Sequence, residues 1–100
     1  MTRRERRGWW LFTSHGLVLL ALARRTDCTI DGLSAITGLG RSTVLNVLSD
    51  LRRAEMVRVK REGRRNAYDI NRDAVLLHPS LAEHKVGDLL RAFFDESGKN

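Results

Sequence analysis

Apolar residues crowd nearly every side of a helical wheel drawn over 17–22. Leu17, Leu20 and Ala21 share one face, and Val18, Leu19 and Leu22 broaden it. This predicts a helix over about 15–24, with Ser14 able to cap it. A helix apolar nearly all round is buried on more than one side. In a chain of 100 residues that points to a second copy covering the surplus. A polar connection at 26–29 leads to a second helix over 30–37, with Ile30 and Leu33 inward. Ser34 is small enough to let the next helix approach, Gly38 supplies the positive φ of a tight turn, and Leu39 plugs that turn. A third helix, about 42–54, buries Val44, Val47, Leu48 and Leu51.

The period then falls to two. Residues 56–61 alternate apolar and basic side chains, as a half-buried strand does. Gly63 begins a tip that continues through Arg64, Arg65 and Asn66, and Tyr68 and Ile70 alternate on the return strand. A connection at 73–80 holds the only proline, Pro79. A last helix over 85–94 aligns Val86, Leu89, Leu90, Phe93 and Phe94. The expected fold is mainly α with a small β-hairpin, as one domain spanning 1–100. Within it lie a flexible basic arm (1–8), a helix-turn-helix (30–54), a wing (56–71) and a C-terminal dimerisation helix (85–94). A helix pair followed at once by a basic hairpin is the layout of a winged helix-turn-helix, which lays one helix in the DNA major groove and a hairpin beside it.

Charge sharpens that expectation. The formal net charge is +6 and the sequence pI about 10.7. Residues 1–7 carry four arginines against Glu5, and residues 52–65 carry seven basic groups against Glu55 and Glu62. Residues 73–100 carry three basic groups against five acids. A charge serving only solubility would be spread more evenly. A basic footprint on the hairpin and the N-terminal arm suits a polyanion.

On the exposed side of the third helix the spacing places Ser42, Thr43, Leu45, Asn46, Ser49 and Asp50. Asn46 can pair bidentately with adenine, and Thr43 can bond a base or a phosphate. Arg41 could hold phosphate beside the free N–H groups at the helix start; Ser42 could simply cap it. Leu45 lies where a polar reader is expected. Contact with a thymine methyl and contact with a protein both remain open for it. At the wing, Arg64, Arg65 and Asn66 could bridge phosphates or enter a narrow minor groove, with Lys60 and Arg61 on the adjacent backbone. Basic residues also protect a hairpin edge from pairing, but seven in fourteen exceed that need.

The remaining chemistry is sparse. Cys28 is the only cysteine, so no intrachain disulfide can form, which suits a reducing compartment and leaves a redox sensor needing a second subunit. His15, His78 and His84 lack metal-ligand spacing, and no nucleophile-base set, paired carboxylates or phosphate-cradling loop is present. An enzyme, a cofactor and a metal site are not expected. The longest apolar run, 17–23, is too short to cross a bilayer, and no signal-peptide cleavage pattern follows it, so a cytoplasmic protein is expected.

The stretches GLGRSTVLNVLSDLRRAEMV and REGRRNAYDIN resemble the small bacterial winged helix-turn-helix transcriptional regulators, close to the MarR type in the DNA-binding half. The tail LLHPSLAEHKVGDLL resembles that of short actinobacterial-style members. The resemblance spans about 12–94. It implies a homodimer on pseudo-palindromic double-stranded DNA, more often a repressor than an activator, with dimer contacts from the N- and C-terminal helices. An unknown small-molecule effector would then use the dimer interface, where Trp9, Trp10 and Phe12 meet the last helix. A protein-interaction module and a nonspecific architectural DNA binder are the competing readings. One departure stands out: members commonly have glycine where this chain has Glu55, a position where a left-handed backbone would strain glutamate.

Overall fold

In the computed structural model, Thr13 rather than Ser14 starts the first helix, α1 (Ser14–Arg24). The Thr13 hydroxyl accepts the Gly16 N–H at 3.4 Å and its carbonyl accepts the Leu17 N–H at 3.0 Å. Ser14 is already inside the first turn. The structure describes residues 11–24, 29–63, 65–76 and 78–94, with the side chains of Glu62 and Arg65 excepted. The basic arm at 1–8, Trp9, Trp10, Cys28 and Arg64 therefore lie outside the described residues.

Val18, Leu19, Ala21 and Leu22 are buried, and α1 packs against α2 (Ile30–Thr37), α3 (Arg41–Arg53) and the second hairpin strand. The chain thus buries much of the apolar helix by itself, while Leu17 and Leu20 stay partly exposed.

Thr29 caps α2, its hydroxyl accepting the Gly32 N–H at 2.9 Å. Gly38 ends α2 at φ 77°, a conformation costly for any residue with a Cβ. Ser34 ties off the turn by donating to the Leu39 carbonyl. α3 begins one residue earlier than its apolar pattern suggests. Gly40 is its N-cap with no side-chain hydrogen bond, so Ser42 does not cap the helix. Its far end closes with the Glu55 N–H on the Arg52 carbonyl and the Met56 N–H on the Leu51 carbonyl, both at 3.0 Å. This is a Schellman closure, with Leu51 and Met56 both buried. Its left-handed position is Glu55, at φ 63°.

β1 (Val57–Glu62) and β2 (Arg65–Ile70) form an antiparallel pair running from Val57 opposite Ile70 to Glu62 opposite Arg65. Arg65 and Asn66 are thus strand residues, not part of the turn. Val57 and Tyr68 are buried and Val59 and Ile70 half-buried, and together they face the core. After β2 the chain is pinned to the start of α4 (Val86–Phe94): the Val86 N–H meets the Ala74 carbonyl and the Gly87 N–H the Arg72 carbonyl, both at 2.8 Å. A Cβ on Gly87 would lie 3.1 Å from the Arg72 carbonyl oxygen, so only glycine allows this approach without a shift. A single 3-10 turn, Pro79–Leu81, precedes α4, with the His78 ring accepting the Ser80 N–H. The described residues are therefore mainly helical, with four α-helices and one two-stranded hairpin. None of these helices is long and apolar enough to cross a membrane.

Candidate nucleic-acid interface

Burial along α3 divides it into two faces. Val44, Val47, Leu48 and Leu51 are buried, and Arg41, Ser42, Thr43, Leu45, Asn46, Ser49, Arg52 and Arg53 are exposed. The spacing of Ser42, Leu45, Asn46, Ser49, Arg52 and Arg53 puts them on one stripe running the length of the helix. Leu45 is 49% exposed in the middle of that stripe.

The expected phosphate holder, Arg41, ion-pairs with Asp31 at the start of α2. Both side chains are more than half exposed, so the pair is weak and a phosphate could replace Asp31. With no side-chain cap at Gly40, the first amides of α3 stay available to an anion.

Asp50 does not join the exposed stripe. It turns toward α1, where His15 Nε2 lies 2.9 Å from its Oδ2, while Arg53 reaches its Oδ1 at 2.6 Å. An ionised carboxylate only accepts, so the imidazole donates. That hydrogen bond, assisted by the Arg53 charge, holds the Asp50 carboxyl below its usual value. Arg53 also donates to the Ser49 hydroxyl at 3.1 Å.

Where α3 ends, its stripe meets β1. Ser49, Arg52, Arg53, Val57, Arg58 and Val59 line a cleft of about 520 Å³ between helix and hairpin. Three arginines line it, the guanidinium of Arg53 being held by Ser49 and Asp50. Arg52, Arg53 and Arg58 belong to the basic run counted over 52–65 but are not among the individual contact residues expected from the sequence, although Ser49, Arg52 and Arg53 follow the helical spacing from Asn46. On the hairpin, Lys60 and Arg61 are both exposed but on opposite faces. Arg61 stands opposite Asn66, and Lys60 opposite Ala67. They cannot grip the same phosphate. Arg65 is placed by its backbone only, beside the turn.

At the other end of the molecule the two expected dimer segments come together. The rings of Phe12 and Phe93 meet edge to face, with centroids 5.6 Å apart. Beside them, residues including Leu17, Leu20, Ile36, Phe93 and Phe94 line an apolar groove of about 280 Å³. Among the described residues no three His, Cys, Asp or Glu side chains cluster as metal ligands would. Comparison with protein-family models, with curated proteins and with solved structures gives no match to this chain.

Proposed function

We propose that this chain is a winged helix-turn-helix transcriptional regulator of the MarR-like kind, acting as a cytoplasmic homodimer on pseudo-palindromic double-stranded DNA. The observation that carries the reading is the unburied stripe of α3, which runs from Ser42 and Asn46 into the cleft of Arg52, Arg53 and Arg58 beside the hairpin. Residues near the start of the stripe suit base edges, and the arginines suit the phosphate backbone. The hairpin is then the wing, and Lys60, Arg61, Arg64, Arg65 and Asn66 are the residues proposed to contact the flanking DNA. A dimer seated over a promoter would block transcription, so the expected action is repression. The chemistry is binding alone, with no catalytic residue and no cofactor.

The test is fluorescence anisotropy on a random duplex across a salt series, followed by competition from sites selected out of a random DNA pool. Phosphate neutralisation predicts a log–log slope of about −0.9 for each phosphate engaged. A flat salt dependence ends the DNA-binding reading. The selected site should compete better than random DNA; equal competition means an architectural binder. A protein-interaction module is favoured by one observation, the exposed Leu45 within an otherwise polar stripe. It predicts no salt-dependent DNA binding.

A further inference from the structure

A second cavity, partly open and of about 360 Å³, is lined by residues of α1, the end of α3, Met56, Leu76 and Leu89 of α4. Leu19, Leu51, Met56 and Leu89 supply much of its apolar wall, and its polar groups are the His15 and Asp50 pair. We propose that this cavity binds a small apolar molecule carrying a primary amine, with the ammonium on Asp50.

A volume of this size, walled by aliphatic side chains with few polar groups at one side, is the build of a small-molecule site. Asp50 supplies its only acid and His15 its only basic side chain. Both oxygens of the carboxylate are already accepting, Oδ2 from His15 and Oδ1 from Arg53. Each oxygen has two lone pairs, so Oδ2 can take an ammonium hydrogen without losing the imidazole. The carboxylate is ionised at neutral pH, which repels an anionic ligand from the same wall. An uncharged apolar ligand would strip water from the carboxylate and return nothing. Asp50 is about half exposed, so the ammonium would sit at a wet rim while the apolar body enters. This keeps the desolvation penalty of the ion pair small. The same carboxylate holds Arg53, so a cation on it changes the charge beside the arginine cleft. The proposal itself needs no DNA and stands apart from the DNA-binding reading.

Titration calorimetry on the full chain decides it, with 2-phenylethylamine, 2-phenylethanol and 3-phenylpropionate as probes sharing one apolar body. The amine is expected to bind saturably at one site per chain, more tightly than the alcohol by about threefold or more, and the carboxylate not at all. Asp50→Asn, nearly the same shape, should lower amine affinity to that of the alcohol. Ala54→Phe, which fills the cavity, should abolish binding of amine and alcohol alike, with circular dichroism checking that the variant folds. Should Ala54→Phe unfold, the ranking of the three probes on the natural chain still decides. Equal binding of amine and carboxylate overturns the proposal. So does unchanged amine affinity in Asp50→Asn, or no amine binding up to the solubility limit of the probe.

Discussion

Glu55 is the one described non-glycine residue with a positive φ, and it sits where the Schellman closure of α3 requires a left-handed backbone. The side chain is exposed, while its carbonyl accepts the Asn71 amide at 3.0 Å, a bond that glycine would keep. Removing the Cβ relieves the local clash but frees the unfolded chain, and the two effects oppose each other. At φ near 60° the relief is the larger, so Glu55→Gly should stabilise the fold by about 0.5–1 kcal/mol. An unchanged or lower midpoint in urea would contradict this. Asp88 does a different job. Its carboxylate accepts the Lys85 N–H at 3.0 Å, closing the start of α4, and also the Arg91 guanidinium at 2.5 Å. The Lys85 hydrogen bond, helped by the Arg91 charge, holds its carboxyl below the usual value. A depressed pKa contributes stability above the unfolded value of about 3.9, lost as pH falls through the folded one. Asp88→Ala should therefore lower the melting temperature at pH 7, with the gap to the natural chain closing below about pH 4. A gap that persists unchanged in acid would rule out the carboxylate. The strain at Glu55 comes into view only through the resemblance, whose members commonly have glycine there; the residue itself does not announce a left-handed backbone. The turning of Asp50 toward His15 does not come into view at all, since it depends on a partner thirty-five residues away in the chain.

The faces of α3 are legible in the sequence because burial follows a 3.6-residue period, and those of the hairpin because strand side chains alternate. How the end of α3 meets β1 is not legible. No local pattern tells which exposed arginines from two elements will share one cleft. Arg52, Arg53 and Arg58 are visible in the sequence as part of a basic run, but their meeting in one cleft emerges only from the structure. The length of the hairpin turn is hidden too, because a run of polar residues looks alike in a loop and on a solvated strand. If the cleft holds the DNA backbone, Arg52→Ala with Arg58→Ala should weaken binding to all sequences alike. The log–log salt slope should become shallower by about one for each phosphate no longer neutralised. An unchanged slope would place the backbone elsewhere. Asn46 lies on the exposed stripe of the same helix, where the proposed reading of base edges would fall. Asn46→Ala should lose about 1–3 kcal/mol of preference for the selected site while binding random DNA as before. The fold should tolerate it, because the side chain is exposed. Leu45→Ala is the companion: relaxed preference at one position of each half-site, reproduced by placing uracil there for thymine, would identify a methyl contact. If both variants keep the natural preference, this face of α3 does not read bases.

If α3 binds DNA as proposed, assembly sets how many such helices meet it. The apolar crowding of α1 suggests a dimer from sequence, but α2, α3 and β2 of the same chain already bury Val18, Leu19, Ala21 and Leu22, leaving Leu17 and Leu20 partly open. A periodic pattern reveals how much of a helix is buried, not whose atoms bury it. The ground for the dimer therefore moves to the surface that remains. Ile36 is 53% exposed and Phe93 48% beside the groove they line, and Phe12 meets Phe93 edge to face, bringing the two terminal segments together. Large exposed apolar groups gathered around a groove mark an association surface more often than single ones do. A patch that meets its own copy across a twofold axis closes without growing into fibres. The proposed pseudo-palindromic DNA would mirror that symmetry, with half-sites about one helical turn apart. The natural chain should sediment as a homodimer at micromolar concentration. Phe93→Asp should shift it to monomer with its helix content intact, because the ring lies outside the buried core. The monomer should still bind a single half-site, yet lose the added affinity that the second half-site gives the linked pair. A natural chain that remains monomeric well above micromolar concentration removes the homodimer. A Phe93→Asp chain that remains dimeric would show that the subunits meet on another face.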